Sequence, residues 1–486
     1  MNDPDREGRA GAGRMPPTSP QRGRRVVLIS LYELGRQPFA LAEPAAWLRG
    51  AGFDVVCVDL SLARLDTSVL SGAALVALHL SMHTATRIAA EAIPRIRDAA
   101  PDALLCAYGL YAPMNAKWLS TLGTDAVLGG EMEPGLVRLA EWAAGTREEA
   151  CPVEPLVSRA KVDFVTPDRS DLPPLDRYAH LILPDGGRSV VGFTEASRGC
   201  KHLCRHCPIV PVYEGRFRIV PLEVVLDDIA QQHAAGARHI SFGDPDFLNG
   251  PTHARRLIGL LRQRFPDLTF DATIKIEHLL AHEGMLAELK EAGCRFITSA
   301  VESLEDEVLR HLAKGHTRAD FERALALCRA HGLALLPTFV PFTPWTTLES
   351  YADLLRALVD LKLVRAVAPV QLSIRLLVPA GSYLLRLEGF GARLDPFDER
   401  LLGYPWRHED PRVDVLQQRV QAWVGEAEAK ELPRERVFEG IWRMAHEAIG
   451  VQPPSLAGAD HGDALPRLSE PWYCCAEPTT SQLTGF

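Results

Sequence analysis

Three cysteines, Cys200, Cys204 and Cys207, fall within eight residues of the segment VVGFTEASRGCKHLCRHCPIVPVY, spaced C-x3-C-x2-C. Thiolates are soft ligands that suit iron–sulfur clusters and zinc. Three placed this closely can wrap one cubane and ligate three of its irons. The fourth iron is then open to another ligand, whereas an electron-transfer ferredoxin uses four cysteines. A structural zinc site wants four ligands, usually as two pairs from separated positions. His202 or His206 offers a fourth ligand in principle, yet no second C-x2-C or H-x3-H pair follows at a suitable distance. The flanking Arg, Lys and His argue against cysteines that merely share a core.

A second cysteine feature lies near the end of the chain. Cys474 and Cys475 are adjacent in WYCCAEPTT, outside any periodic element. Ten cysteines in 486 residues are too sparse for a disulfide scaffold. The polar, Arg-, Gly- and Pro-rich N-terminus lacks the apolar core of a secretion signal. Together these point to metal chemistry in a reducing compartment, the cytoplasm. A net charge of -9 argues against a nucleic-acid partner. No run of about 18 apolar residues suggests a membrane span.

The elements that must carry these residues form two alternating blocks. Residues 1–23 read as a disordered leader. In residues 24–145 the short apolar runs RVVLIS, DVVCV, ALVALHL, ALLCAYG and DAVLGG alternate with helix-like stretches. Near-continuous apolar strands between amphipathic helices imply a parallel sheet covered on both faces, hence a doubly wound, Rossmann-like α/β domain. Residues 146–188 read as a linker. In residues 189–384 six further strands, SVVGFTEA, RHISFGD, LTFDATIKI, RFITSAVE, LALLPTFVPF and VQLSIRLLVP, alternate with helices. Six units suit an open, partial (βα)6 barrel better than a complete eight-unit one. Phe321, Ala324, Leu325 and Cys328 repeat at i, i+3, i+4, i+7, so Cys328 faces a core, and Gly332 is placed to end that helix. Residues 385–450 read as mainly helical, and 451–486 as a tail.

The cysteine spacing, set directly after the first strand of a partial βα barrel, resembles the radical S-adenosylmethionine superfamily. The string ASRGCKHLCRHCPIVPVY is similar to the branch with an N-terminal cobalamin-binding-type domain. The resemblance implies that Cys200, Cys204 and Cys207 hold a 4Fe-4S cluster whose open iron chelates S-adenosylmethionine. One electron then breaks a carbon–sulfur bond to give methionine and a 5′-deoxyadenosyl radical. It also implies an external electron donor such as a flavodoxin or ferredoxin. Gly243, Asp244 and Pro245 stand where the superfamily places a short Gly-containing motif against the methionine amino group, in place of the commoner Gly-Gly-Glu. Period-2 spacing puts Thr273, Lys275 and Glu277 on one strand face. Lys275 is then a candidate for the S-adenosylmethionine carboxylate, or a solvated lysine at the barrel rim. Glu302, at the end of the fourth strand, stands where a βα barrel builds its site.

Cobalamin is left open by the N-terminal block. The Asp-x-His-x-x-Gly motif of the best-known cobalamin domains is absent, but relatives in this branch lack it too. HLSMHTATR, YGLYAPMN and GGEMEP lie at strand C-terminal ends, the ligand side of such a sheet, or are ordinary loops and a helix start. The CCAEP string resembles a radical S-adenosylmethionine group with a CUAEP or CCAEP tail, which implies a functional thiol pair. By that resemblance Cys475 and Cys474 act on a small-molecule or peptide substrate. Two other function classes stand beside this one. A tRNA methylthiotransferase also pairs an α/β domain with a radical barrel, but needs three more N-terminal cysteines, and only Cys57, Cys106 and Cys151 are available. A non-enzymatic iron–sulfur or zinc regulator is the other.

Overall fold

The apolar run Arg25–Ser30 forms β1, an inner strand of a five-stranded parallel sheet. It is followed by α1 (Phe39–Gly50), β2 (Asp54–Asp59), β3 (Ala73–His79), α2 (His83–Ala99), β4 (Leu104–Tyr108), α3 (Ala116–Thr121), β5 (Ala126–Leu128) and α4 (Glu133–Ala143). The strand order is β2-β1-β3-β4-β5. Every residue of β3 and β4 is buried, as expected of strands covered on both faces. α1 and α4 pack Leu41, Leu48, Leu136 and Leu139 on one face of the sheet, against Val26, Leu28, Leu75 and Leu104. Right-handed crossovers assign α2 and α3 to the other face.

A computed structural model describes residues 23–146 and 154–470. Residues 1–22, Cys151 and the Cys474–Cys475 tail lie outside the described residues. The described chain divides into two compact units, residues 23–33 with 38–172, and residues 34–37 with 173–470. The stretch from 154 to 172 runs with the first unit. Glu154 pairs with Arg138 at 2.5 Å, and Asp168 and Asp171 each pair with Arg49 at 2.8 Å.

The second unit begins with β6 (His180–Ile182), β7 (Arg188–Thr194), β8 (Ser197–Gly199), α5 (Ile209–Tyr213), β9 (Phe217–Ile219) and α6 (Leu222–Ala234). Next come β10 (His239–Phe242), α7 (Pro251–Arg264), β11 (Thr269–Thr273), α8 (Ile276–Ala281), α9 (Met285–Glu291) and β12 (Cys294–Glu302). It continues through α10 (Asp306–Leu312), α11 (Arg318–Ala330), β13 (Ala334–Phe339) and α12 (Leu348–Asp360), and ends in α13 (Pro411–Ala429), α14 (Arg434–Ala448) and β14 (Arg467–Leu468). The sheet order is β13-β12-β11-β10-β7-β6-β14, with β7 and β10 to β13 parallel. It curls into a half-barrel whose helices follow each strand, the fold class the sequence implies. Cys328 on α11 is fully buried, and Gly332 adopts φ +64 just past that helix.

The sixth strand–helix unit is reduced to a single parallel bridge between Phe342 and Arg375. The segment VQLSIRLLVP is buried, but it opens with a 3-10 turn at Pro369–Leu372. There the Gln371 side chain, not a backbone carbonyl, accepts the Phe339 N–H at 3.1 Å. On the other edge, β6 and β14 add two short antiparallel strands from stretches too brief to show a period.

Candidate functional site

The cysteine loop hangs from a two-stranded ribbon. β8 pairs antiparallel with β9 through Ser197–Ile219, Arg198–Arg218 and Gly199–Phe217, closing the loop at its base. Gly199 adopts φ +78, and a Cβ there would lie 2.5 Å from the Arg216 carbonyl, so only glycine fits immediately before Cys200. At the other end, Cys207 N–H donates to the Cys204 carbonyl in a turn. Arg205 straps the loop to the C-terminal end of α10. Its backbone N–H donates to Leu312 O, and its guanidinium donates to Arg310 O and His311 O at 3.0 and 2.9 Å. A cation capping the last carbonyls of a helix is favourable on both hydrogen-bonding and dipole grounds. All three thiols are free of disulfides. Cys200 and Cys204 are buried and Cys207 is half-buried, and burial pushes the Cys200 thiol up.

Gly243 follows β10 and donates its N–H to Thr194 O at 2.8 Å. Any side chain at this position would overlap the Phe193 ring. Asp244 is buried and turned toward β8: one oxygen accepts the Ala196 N–H at 2.9 Å, the other the Ser197 hydroxyl at 2.5 Å. Burial lifts its carboxyl to about 6. Asp244 thus holds the turn that carries the cysteine loop, and Pro245 beside it is half-buried.

Lys275 does not sit on a strand. β11 stops at Thr273, and Lys275 is the residue ahead of α8, with Glu277 in that helix's first turn. The period-2 pattern over 273–277 therefore runs past the strand end. Lys275 nonetheless reaches the cysteines: its Nζ lies 3.9 Å from Cys204 Sγ and 2.5 Å from Glu277 Oε2. Glu302 ends β12 after a register shift and takes φ +72, a strained value for a non-glycine residue. Its buried Oε1 lies 3.3 Å from His206 Nε2 and 3.6 Å from Lys314 Nζ. Burial alone would raise its carboxyl, but Lys314 and His206 outweigh that and hold it at about 2. Through His206, Glu302 grips the cysteine loop from the far side.

Asn249 and His316, which no motif marks in the sequence, belong to the same place. Asn249 Oδ1 accepts the Lys201 N–H at 3.4 Å and lies 3.9 Å from Cys200 Sγ. Its Nδ2, His206 Nδ1 and both ring nitrogens of His316 are buried with no hydrogen-bond partner among the described residues. Burial drives His316 down to about 4. Buried polar atoms are rarely left unpaired, so these mark room for a polar ligand beside the three thiols. Three soft donors, no fourth cysteine beside them among the described residues, and a set of unsatisfied polar groups fit a four-iron cluster with one iron open to S-adenosylmethionine.

A family model described as the Radical SAM superfamily matches residues 194–357. The chain carries a radical SAM domain. Enzymes of this superfamily use a 4Fe-4S cluster and S-adenosylmethionine, and residues 194–357 are similar to their shared domain. A curated relative, an uncharacterized methyltransferase of Pyrococcus horikoshii, is 26% identical over 227 residues, 46% of this chain and 47% of its own length. A tRNA-2-methylthio-N(6)-dimethylallyladenosine synthase of Chloroherpeton thalassium is 27% identical over 171 residues, 33% of this chain and 35% of its own length. The chain therefore spans about half, or less, of the length of these relatives. Among solved structures, the cobalamin-dependent radical enzyme OxsB matches with TM-score 0.67 at 15% identity, covering 87% of this chain and 71% of that one. The radical S-adenosylmethionine methyltransferase TsrM from Kitasatospora setae, solved with cobalamin and a [4Fe-4S] cluster, matches with TM-score 0.57 at 21% identity, covering 70% and 73%. These likenesses extend the shared fold beyond the radical SAM domain. Among the described residues no helix is long and apolar enough to cross a membrane.

Proposed function

We propose that this chain is a cobalamin-dependent radical SAM enzyme that transfers a methyl group to a small-molecule or peptide substrate. One observation carries the reading: a five-stranded β2-β1-β3-β4-β5 parallel unit precedes a half-barrel with the cysteine loop at its strand ends. OxsB and TsrM, whose folds this chain shares over most of its length, are solved with cobalamin bound. In an open parallel sheet the ligand belongs at the strand C-terminal ends. There His79 and His83 are buried, and burial drives both imidazoles down to about 3, so that neither carries a charge at neutral pH.

On this reading Cys200, Cys204 and Cys207 hold the cluster, which supplies the electron for cleaving S-adenosylmethionine. Lys275, beside Cys204, meets the carboxylate of S-adenosylmethionine. Gly243, whose missing side chain admits the Phe193 ring, and Pro245 shape the β10 end beside S-adenosylmethionine. Asp244 and Glu302 act one step back, holding the loop and its ribbon. Cys475, with Cys474, acts on the substrate.

Methylthio transfer is the competing activity, since several curated relatives bear that name. It asks for a second cluster on the N-terminal unit. Cys57 and Cys106 share one row of the sheet through Leu28 and Ala77. They are three strand spacings apart, about 14 Å, too far to hold one cubane together. Burial pushes both thiols up.

The test is to isolate the full chain without oxygen, incubate it with cobalamin, and read bound cobalamin from its visible spectrum after desalting. About one cobalamin per chain, together with methyl transfer from labelled S-adenosylmethionine to an acceptor, is the expected result. A cluster-loaded chain that retains no cobalamin overturns the proposal.

A further inference from the structure

Beside the cysteine loop lies a set of metal-ligating side chains that the three cysteines do not use. His202 stands between Cys200 and Cys204, Asp246 follows the end of β10, and His278 is on α8 after β11. Asp246 Oδ2 lies 2.6 Å from His278 Nδ1 and 3.5 Å from His202 Nε2. One ligand atom from each residue falls within 4.8 Å of the others.

Proximity alone would not make a site, but the hydrogen-bond accounting does. The Asp246 side chain is fully buried. Its Oδ1 is occupied, accepting the Leu248 and Lys275 N–H groups at 3.4 Å each. Its Oδ2 meets His278 Nδ1 and His202 Nε2 only as ion-pair contacts, with no well-aligned hydrogen bond among the three. The three atoms face one another without the alignment that a shared proton requires. One buried carboxylate oxygen facing two imidazole nitrogens is a donor set that a single cation satisfies at once. The surroundings match such a site as well. Glu277 Oε2 lies 3.6 Å from Nδ1, the second nitrogen of His202, and is itself held by Lys275. A carboxylate behind a ligating imidazole is the usual outer partner at metal centres, where it sets the tautomer and orients the ring.

We propose that His202, Asp246 and His278 bind one divalent first-row cation, zinc or ferrous iron, separate from the cysteine-held cluster. Two imidazoles and one carboxylate are the donor set of such ions, whereas calcium and magnesium prefer oxygen ligands throughout. His202 and His278 are partly exposed, which leaves coordination positions for water or for a donor atom of the substrate. The ion would also tie the middle of the cysteine loop to the ends of β10 and β11.

The test reads metal rather than S-adenosylmethionine cleavage, so it stands or falls apart from the proposed function. The full chain carrying C200S, C204S and C207S holds no cluster and is dialysed anaerobically against zinc chloride. About one zinc per chain is expected, falling more than tenfold when H278A or D246N is added. Equal zinc with and without those substitutions overturns the proposal. A second measurement uses the native chain with its cluster reconstituted. The summed iron and zinc should exceed acid-labile sulfide by about one per chain, and H278Q should remove that excess without changing the cluster's visible absorbance. Equal metal and sulfide in the native chain overturns it.

Discussion

At the strand ends of the N-terminal unit, uncharged groups dominate and several are spent on the chain itself. The Tyr108 hydroxyl donates to Ala40 O at 2.7 Å. The pair Gly129–Gly130 is pressed against Ser158: Ser158 N–H donates to Gly129 O, and Glu131 N–H donates to Ser158 O. At the strand ends of the half-barrel paired charges dominate. Glu302, Lys314, Asp246 and Lys275 are charged and buried, and they crowd around a loop of thiols. The first set is mostly uncharged, yet it too leaves His79 Nδ1, His83 Nε2 and Asn115 Oδ1 buried with no hydrogen-bond partner among the described residues. The second is an electrostatic assembly that is completed only by ions and a polar ligand. Buried charges cost several kcal/mol each unless paired, and here Glu302 pairs with His206 and Lys314, and Lys275 with Glu277.

The sharpest way to break this contrast is at the thiols. C200S, C204S or C207S should each reduce iron after anaerobic reconstitution more than tenfold, measured by metal analysis. Full iron in any of them would mean that another group holds the metal. Next in size is E302Q. Removing one member of a buried pair costs about 3–5 kcal/mol, and here Lys314 is left buried and His206 loses its anchor. Urea unfolding should show that loss, with lower cluster occupancy alongside it. G130A should cost less, about 1–3 kcal/mol. Gly130 has φ +69, and a Cβ would overlap the Ser158 carbonyl. The cluster should stay intact in G130A, because the damage is confined to the unit without thiol chemistry.

The contrast also shows in the dependence on pH. His79 and His83 have folded values near 3, below that of a free imidazole. The unfolded chain therefore takes up their protons first. Their contribution is complete above about pH 6.5 and is lost as pH falls toward 3, at up to about 1.4 kcal/mol per pH unit for each histidine. In the half-barrel, His316 at about 4 has the same sign, while Asp244, lifted to about 6, has the opposite sign and offsets it. Glu302 and Asp246, both near 2, lose their contribution only below the usual carboxylate range. Urea midpoints of the full chain between pH 7 and 5 should fall, and H79Q/H83Q should flatten that slope. An unchanged slope would remove the two histidines from the account.

The sequence exposes the parts of this arrangement that are local. The five N-terminal strands lie within a residue or two of the apolar runs, because a strand buried on both faces must be apolar throughout. The cysteine loop shows in its spacing, since one short segment wraps one cluster. VQLSIRLLVP misleads for a physical reason: apolar character reports burial, and here burial comes without a strand. The charged partners are hidden because they meet only through folding. His202, Asp246 and His278 come from three segments, and nothing near any one of them marks the other two. Lys275 looks like a strand residue until Asp246 is seen taking its N–H ahead of α8.

The central claim, that the cysteine loop holds a cluster with one iron open to S-adenosylmethionine, has one direct measurement. The anaerobically reconstituted full chain is reduced with dithionite, and its electron paramagnetic resonance spectrum is recorded before and after S-adenosylmethionine is added. The account predicts the signal of a reduced four-iron cluster that shifts on addition, followed by consumption of S-adenosylmethionine. A cluster signal that S-adenosylmethionine leaves unchanged, with none consumed, would contradict it.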